Sequence, residues 1–338
     1  MMKGVLLVNL GSPDSTKIKD VKKYLDEFLM DECVLDLPYW KRFLIVKGII
    51  LNTRPKKTAK AYQKVWKDGD APLIAISKEF TSKLENLLDL PISLAMRYGS
   101  LDIKSGMQEL VDNGVDEILV IPLYPQFAMS SYETVQKKVE KERVKHFKNI
   151  KLDFFPVFYN NSDYIDAMVA KIDEEMKDFN YDHILFSYHG LPERHIYKAD
   201  PTESHCKLDG SCCDTPSIAH KTCYRHQCFE ATKLMVDKLK IDADKYSISF
   251  QSRLLKDPWL KPYTDKVLEE LPKQGKEKIA VVAPAFVTDC LETLEEIAIE
   301  GKKTYLNSGG KAFKYIPCLN ADDNWVEVVK NWIINWAN

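Results

Sequence analysis

Short apolar runs bounded by turn residues recur along the chain. They are Gly4–Leu10, Ile92–Arg97, Glu117–Leu123, Leu152–Phe158, His183–Tyr188, Tyr246–Phe250, Lys278–Ala283 and Phe313–Ile316. Each reads as uniformly apolar, which predicts strands buried on both faces of a parallel sheet. Helix-patterned stretches lie between them, and that alternation predicts open α/β sheets. No long linker or low-complexity segment divides the chain.

A weak internal repeat does divide it. Val8-Asn9-Leu10-Gly11-Ser12-Pro13 is echoed by Ser187-Tyr188-His189-Gly190-Leu191-Pro192. Glu117-Ile118-Leu119-Val120-Ile121-Pro122 is echoed by Lys278-Ile279-Ala280-Val281-Val282-Ala283-Pro284. The echoes keep their order, so two four-stranded lobes are expected, 1–160 and 161–338, with a cleft between them. Ligands in such sheets sit beyond the carboxyl ends of the strands. His189 and the residues after Pro284 are therefore expected at a ligand site.

Composition narrows the function. The 338 residues carry 48 Lys+Arg against 50 Asp+Glu, a formal charge of -2, which removes the electrostatic case for a nucleic-acid binder. No apolar run approaches the roughly 20 residues of a membrane-spanning helix. The start, Met1-Met2-Lys3, leads into too short an apolar run for a signal peptide, so a cytoplasmic location is expected. No Gly-x-Gly-x-x-Gly or Walker loop follows the first strand, which weakens nucleotide readings.

Three features carry chemistry. His189 stands at a predicted strand end, where a neutral imidazole can bind a metal or accept a proton, or simply bond to backbone in a turn. In Asp289-Cys290-Leu291-Glu292-Thr293-Leu294-Glu295-Glu296 and on to Glu300, helical periodicity gathers Asp289, Glu292, Glu296 and Glu300 within roughly 80°. An amphipathic helix with a solvated acidic face, capped by Asp289 and Glu292, explains the same pattern. Against it, this face carries no lysine before Lys302 and Lys303.

The third feature is a thiol segment. Five of the eight cysteines, Cys206, Cys212, Cys213, Cys223 and Cys228, fall together with His205, His220 and His226 interleaved. Without an export signal this reads as a metal centre, zinc or iron–sulfur, sooner than as disulfides. Aromatic and amphipathic residues at Tyr39-Trp40, Tyr62, Trp66, Arg97-Tyr98, Tyr124-Pro125-Gln126-Phe127 and Asp257-Pro258-Trp259 read as core or as the lining for a large flat apolar ligand.

At these residues the sequence resembles the ferrochelatase family, which inserts Fe²⁺ into a porphyrin late in haem synthesis. The likeness runs through Leu7-Val8-Asn9-Leu10-Gly11-Ser12-Pro13-Asp14, Arg97-Tyr98-Gly99-Ser100, Pro122-Leu123-Tyr124-Pro125-Gln126-Phe127 and Ser187-Tyr188-His189-Gly190-Leu191-Pro192. It continues through Phe250-Gln251-Ser252-Arg253, Pro258-Trp259-Leu260 and Asp289 to Glu296. The resemblance implies two similar Rossmann-like lobes, each a four-stranded parallel sheet flanked by helices. It implies protoporphyrin IX and Fe²⁺ as substrates, and His189 and Glu292 as the metal- and proton-handling pair. Asp289, Glu296 and Glu300 would form a polar path. Leu10, Arg54, Arg97, Tyr98, Phe127 and Trp259 would contact substrate, with Arg54 steering a propionate.

Two departures from the family pattern stand out. A Gly-Gly-x-Ser-Pro turn reads Gly69-Asp70-Ala71-Pro72 here, which removes a serine contact to a propionate. The segment from about 201 to 228 is an insertion. On the resemblance it holds a [2Fe-2S] cluster through Cys206, Cys213, Cys223 and Cys228, with Cys212 as the substitute for Cys213. Leu10, where coproporphyrin-using relatives carry tyrosine, tilts the expectation to protoporphyrin. A peripheral membrane contact is expected at the apolar stretch Phe43 to Leu51. The rivals are a cobalt or nickel chelatase for another tetrapyrrole and a non-catalytic haem or metal carrier.

Overall fold

A computed structural model describes residues 2–67, 69–254 and 257–338. All eight expected strands form: β1 (Lys3–Gly11), β2 (Ile92–Tyr98), β3 (Glu117–Pro122), β4 (Lys151–Phe154), β5 (His183–His189), β6 (Tyr246–Gln251), β7 (Lys278–Val282) and β8 (Ala312–Tyr315). They make two parallel four-stranded sheets with the same order, β2-β1-β3-β4 and β6-β5-β7-β8. The repeat is thus one of topology: β1 and β5 hold equivalent central places, and Leu10 stands where His189 stands.

The chain divides into two compact units. One comprises Met1–Leu123, Met129–Pro156 and Asn320–Asn338, and the other Tyr124–Ala128 and Val157–Leu319. In the first, the centre of β1, Val5 to Val8, is wholly buried, and Asp102 caps the Ile103–Asp112 helix through the Ser105 N–H at 2.7 Å. Each such buried aliphatic side chain stabilises the fold by about 1.5–3 kcal/mol relative to exposure. The C-terminal helix, Asp323–Ala337, also packs in this unit. Trp325 stacks on Phe80 and Trp332 on Phe155, while Lys3 Nζ reaches the Trp336 and Ala337 carbonyls.

In the second unit, β5 runs buried through Ile184, Leu185 and Phe186 and ends at His189. Leu185, Leu268, Ile279, Val281, Ile297 and Tyr305 form one core cluster beneath the acidic helix. Asn161 caps the Ser162–Met176 helix through two backbone N–H groups.

Two expectations are corrected. The Leu152–Phe158 run is not a doubly buried strand. Only Lys151–Phe154 pairs, at a sheet edge, with Lys151 and Asp153 exposed in alternation, because its outer face has no neighbouring strand. The acidic segment is not an α-helix: Glu292–Gly301 is π-helical.

Candidate active site

His189 closes β5, paired with Gln251 at the end of β6. Its Nδ1 lies 2.7 Å from the Gly190 carbonyl, which can only accept, so Nδ1 holds the proton and Nε2 the lone pair. Burial pushes the imidazole pKa below 6.5, and the Glu292 carboxylate pulls it the other way. Phe286 meets the ring edge-on, 6.3 Å between centroids. A neutral imidazole with one nitrogen fixed and the other open is a proton acceptor or a metal ligand.

The backbone beside His189 is tightly fitted. A Cβ on Gly190 would stand 2.9 Å from both the Gln251 and Ser252 carbonyl oxygens, so only glycine lets the two strand ends close. The Gly190 N–H donates to the Gln251 carbonyl at 2.6 Å. Gln251 is itself held by the Ser187 hydroxyl at 2.9 Å and donates Nε2 to the Glu292 carbonyl at 3.3 Å. One side chain therefore joins both elements that carry the expected pair.

The π-helix changes the geometry of the acids. An i→i+5 ladder widens the turn beyond four residues. Residues four apart then fall almost in line, where an α-helix would rotate them by about 40°. Glu292, Glu296 and Glu300, spaced by four, form a file along one side. Ser252 Oγ donates to Glu296 Oε2 in a short hydrogen bond. At the start of the file, Asp289 is buried and accepts from Thr293 Oγ1 at 2.8 Å and Tyr315 OH at 2.5 Å. The Cys290 N–H is taken by the Thr293 hydroxyl at 2.9 Å. Burial raises the pKa of Cys290, Tyr315 and Cys318 alike, which keeps these neighbours protonated.

The thiol segment is a second constellation in the same unit. All five cysteines are free. Cys206, Cys212, Cys223 and Cys228 are buried, and Cys213 is half-buried. Arg225 donates to Cys213 Sγ at 3.3 Å and the Lys207 N–H to Cys212 Sγ at 3.5 Å. Burial raises the Asp200 pKa, but bonds from Cys206, Thr202 and His205 more than offset it, to about 2. That carboxylate shapes the loop presenting Cys206.

The interleaved histidines face backbone. His205 and His220 place Nε2 at 2.8 and 3.1 Å from the Cys212 carbonyl, and His226 places Nδ1 at 3.1 Å from that of Cys213. Among the described residues no three His, Cys, Asp or Glu side chains converge tightly enough for a single ion. Five free thiols on one short segment, two of them with N–H donors on their sulfurs, are the donor type that an iron–sulfur cluster takes. Tyr224 ties this segment to the strand end, donating its hydroxyl to the His189 carbonyl at 2.9 Å.

The other sequence candidates lie as follows. Arg97 pairs with Asp31 and donates to Thr134 Oγ1 at 2.7 Å; its guanidinium covers the Tyr98 ring at 4.3 Å. Buried Tyr98 donates to Asp31 at 2.9 Å. Burial raises the Asp31 pKa, but the Thr134 hydroxyl and Arg97 outweigh it and hold the carboxyl low. Leu10 is half-buried in β1, and Arg54 is exposed ahead of the Pro55–Val65 helix. The Phe127 N–H donates to Gln227 at 2.6 Å, and Trp259 bonds the Leu254 carbonyl at 2.9 Å. Asp31, Thr134, Tyr224 and Tyr315 escape the sequence reading, since no motif marks them, and Thr293 lies in the acidic motif without a role assigned. Gln251 and Ser252 were visible only as a motif.

Comparison with known proteins gives the family and the fold. A family model described as Ferrochelatase matches residues 2–336. A ferrochelatase of Opitutus terrae is 44% identical over 99% of this chain and 97% of its own. Ferrochelatases of Ectopseudomonas mendocina and Pseudomonas fluorescens are 41% and 42% identical, over 96% of this chain and 96% and 95% of theirs. Two solved structures share the fold. SirB from Bacillus subtilis with Fe³⁺ has a TM-score of 0.55 at 10% identity, covering 99% of this chain and 95% of that one. The sirohydrochlorin chelatase SirB from Bacillus subtilis subspecies spizizenii, in complex with cobalt, scores 0.54 at 12% identity, covering 99% and 93%. With a family match over nearly its whole length and relatives above 40% identity, the chain belongs to the ferrochelatase family.

Proposed function

We propose that this enzyme inserts Fe²⁺ into protoporphyrin IX, a metal-chelating lyase reaction of haem biosynthesis, with His189 and Glu292 at its centre. The reaction takes Fe²⁺ and the free-base porphyrin to haem and two protons, the two pyrrole N–H bonds being exchanged for bonds to iron. A base must stand at the porphyrin face. The observation that carries this reading is the fixed tautomer of His189, with Nε2 unprotonated beside Glu292. His189 Nε2 accepts a pyrrole proton, and Glu292 assists metal delivery or proton removal. Asp289, Glu296 and Glu300 continue the polar path. Leu10, Arg54, Arg97, Tyr98, Phe127 and Trp259 are the proposed porphyrin contacts.

Anaerobic turnover of protoporphyrin IX with Fe²⁺, followed by loss of porphyrin fluorescence, tests the assignment. Haem formation is expected. Tight porphyrin binding without metallation would instead make the protein a carrier.

Cys206, Cys213, Cys223 and Cys228, or Cys212 in place of Cys213, would hold a [2Fe-2S] cluster. Their free and mostly buried thiols support that reading. Bound there, the cluster would serve structure or sensing, since metallation of a porphyrin moves no electrons. Protein purified without oxygen is expected to carry iron and acid-labile sulfide in equal amounts, both lost in Cys223→Ser. Protein with neither would refute the cluster.

The enzyme is placed in the cytoplasm, with a peripheral membrane contact. Among the described residues no helix is long and apolar enough to cross a bilayer. Tyr39, Trp40, Phe43, Leu44 and Ile49 are exposed next to Lys41 and Lys47, which suits an interface carrying anionic lipid. Co-flotation with anionic vesicles is expected, and its absence would remove the contact.

A further inference from the structure

We propose that Ser252 is a positioning residue for chelation, locking Glu296 so that the acid file stays aligned with His189. This rests on the reading of His189 and Glu292 just given. Ser252 occupies the left-handed region, φ +63°, as a non-glycine residue. Such a backbone persists only where its surroundings over-determine it, and it gathers at functional sites. Here the conformation delivers the hydroxyl to Glu296 Oε2.

The corner that Ser252 occupies is fixed from three directions. Towards β5, the Gln251 carbonyl takes the Gly190 N–H, and both corner carbonyls fill the space a Gly190 side chain would need. Towards the π-helix, Gln251 bonds the Glu292 carbonyl and Ser252 bonds the Glu296 carboxylate, one on each of two successive turns. On the far side, Arg253 pairs with Asp265 at 2.7 Å and lies 4.1 Å from the Tyr263 ring centroid. Gln251 therefore grips backbone at the first acid, and Ser252 grips the side chain of the second. Removing the hydroxyl takes away the bond that sets Glu296 Oε2 at this corner while the backbone of the corner stays in place. Proton transfer depends steeply on such placement.

Two substitutions separate the hydroxyl from the backbone. Ser252→Gly accepts positive φ and removes only the donor, whereas Ser252→Asn tolerates positive φ and restores an N–H donor. With protoporphyrin IX and Fe²⁺ under anaerobic conditions, Ser252→Gly is expected to lower kcat about tenfold and to leave the porphyrin KM within about twofold. Ser252→Asn is expected to recover most of that loss, and the unfolding temperature of the glycine variant should not fall. Unchanged kcat in Ser252→Gly would overturn the proposal. So would a loss that tracks unfolding temperature or KM and is not recovered by asparagine. His189→Ala, run alongside, separates the two levels. Its collapse with Ser252→Gly unaffected removes only the positioning role, whereas full turnover in His189→Ala removes the reading beneath it.

Discussion

At the residue scale, His189 shows how little is needed to hold an imidazole neutral in one tautomer. One backbone carbonyl, its neighbour's, fixes the tautomer, and burial keeps the ring neutral. Because the folded pKa lies below 6.5, the unprotonated form survives as pH falls through 6.5. The acid limb of kcat/KM, which reports the free enzyme, is therefore expected below that value, and a pH–rate profile checks it. A limb above pH 7 would contradict the neutral-base assignment. The same residue was legible in the sequence as a strand-end histidine before Gly190. Asp31 was not. Its carboxylate gathers Arg97, Tyr98 and Thr134, three side chains distant in sequence, and nothing in a local pattern distinguishes it from any surface acid.

At the element scale, β5 holds a second buried histidine with a different consequence. Burial, with Lys276 adding to it, pushes the His183 pKa down to about 4; its Nε2 lies 2.8 Å from Ser247 Oγ. The unfolded chain takes up this proton near 6.5 and the folded chain only near 4, so within that window the unfolded state binds more protons. Stability is thus fully present above pH 6.5 and declines as pH falls towards 4. The loss between pH 7 and 5 is about 2 kcal/mol. Urea unfolding of wild type and His183→Gln at both values checks this; the variant should lose much less.

Elements also mark where sequence reading stops. The strands were legible because doubly buried strands leave unbroken apolar runs. The edge strand β4 deceived, since Phe155 and Phe158 continue an apolar pattern after pairing ends at Phe154. The π-helix was hidden because a spacing of four suits either ladder. Its contacts come from elsewhere in the chain, with Gln251 and Ser252 bonding its first turns. The C-terminal helix advertises an apolar face through Trp325, Val329 and Trp332, but that pattern does not name the sheet it covers.

At the scale of the whole molecule, a duplicated topology has been given chemistry on one side. Both sheets follow the same order, and a glycine stands at or just past the end of each of the two equivalent strands, Gly11 in β1 and Gly190 after β5. Gly11, at φ +108° and with the Tyr98 carbonyl filling its Cβ position, meets the same demand for close approach as Gly190. Only the second unit carries the strand-end histidine, the acid file and the thiol segment. The central claim is that His189 is the base of metallation. Its most direct test loads His189→Ala with protoporphyrin IX and follows a single anaerobic turnover with Fe²⁺ by fluorescence. Porphyrin binding close to wild type with metallation slowed at least about a hundredfold is predicted. Metallation at the wild-type rate would contradict it.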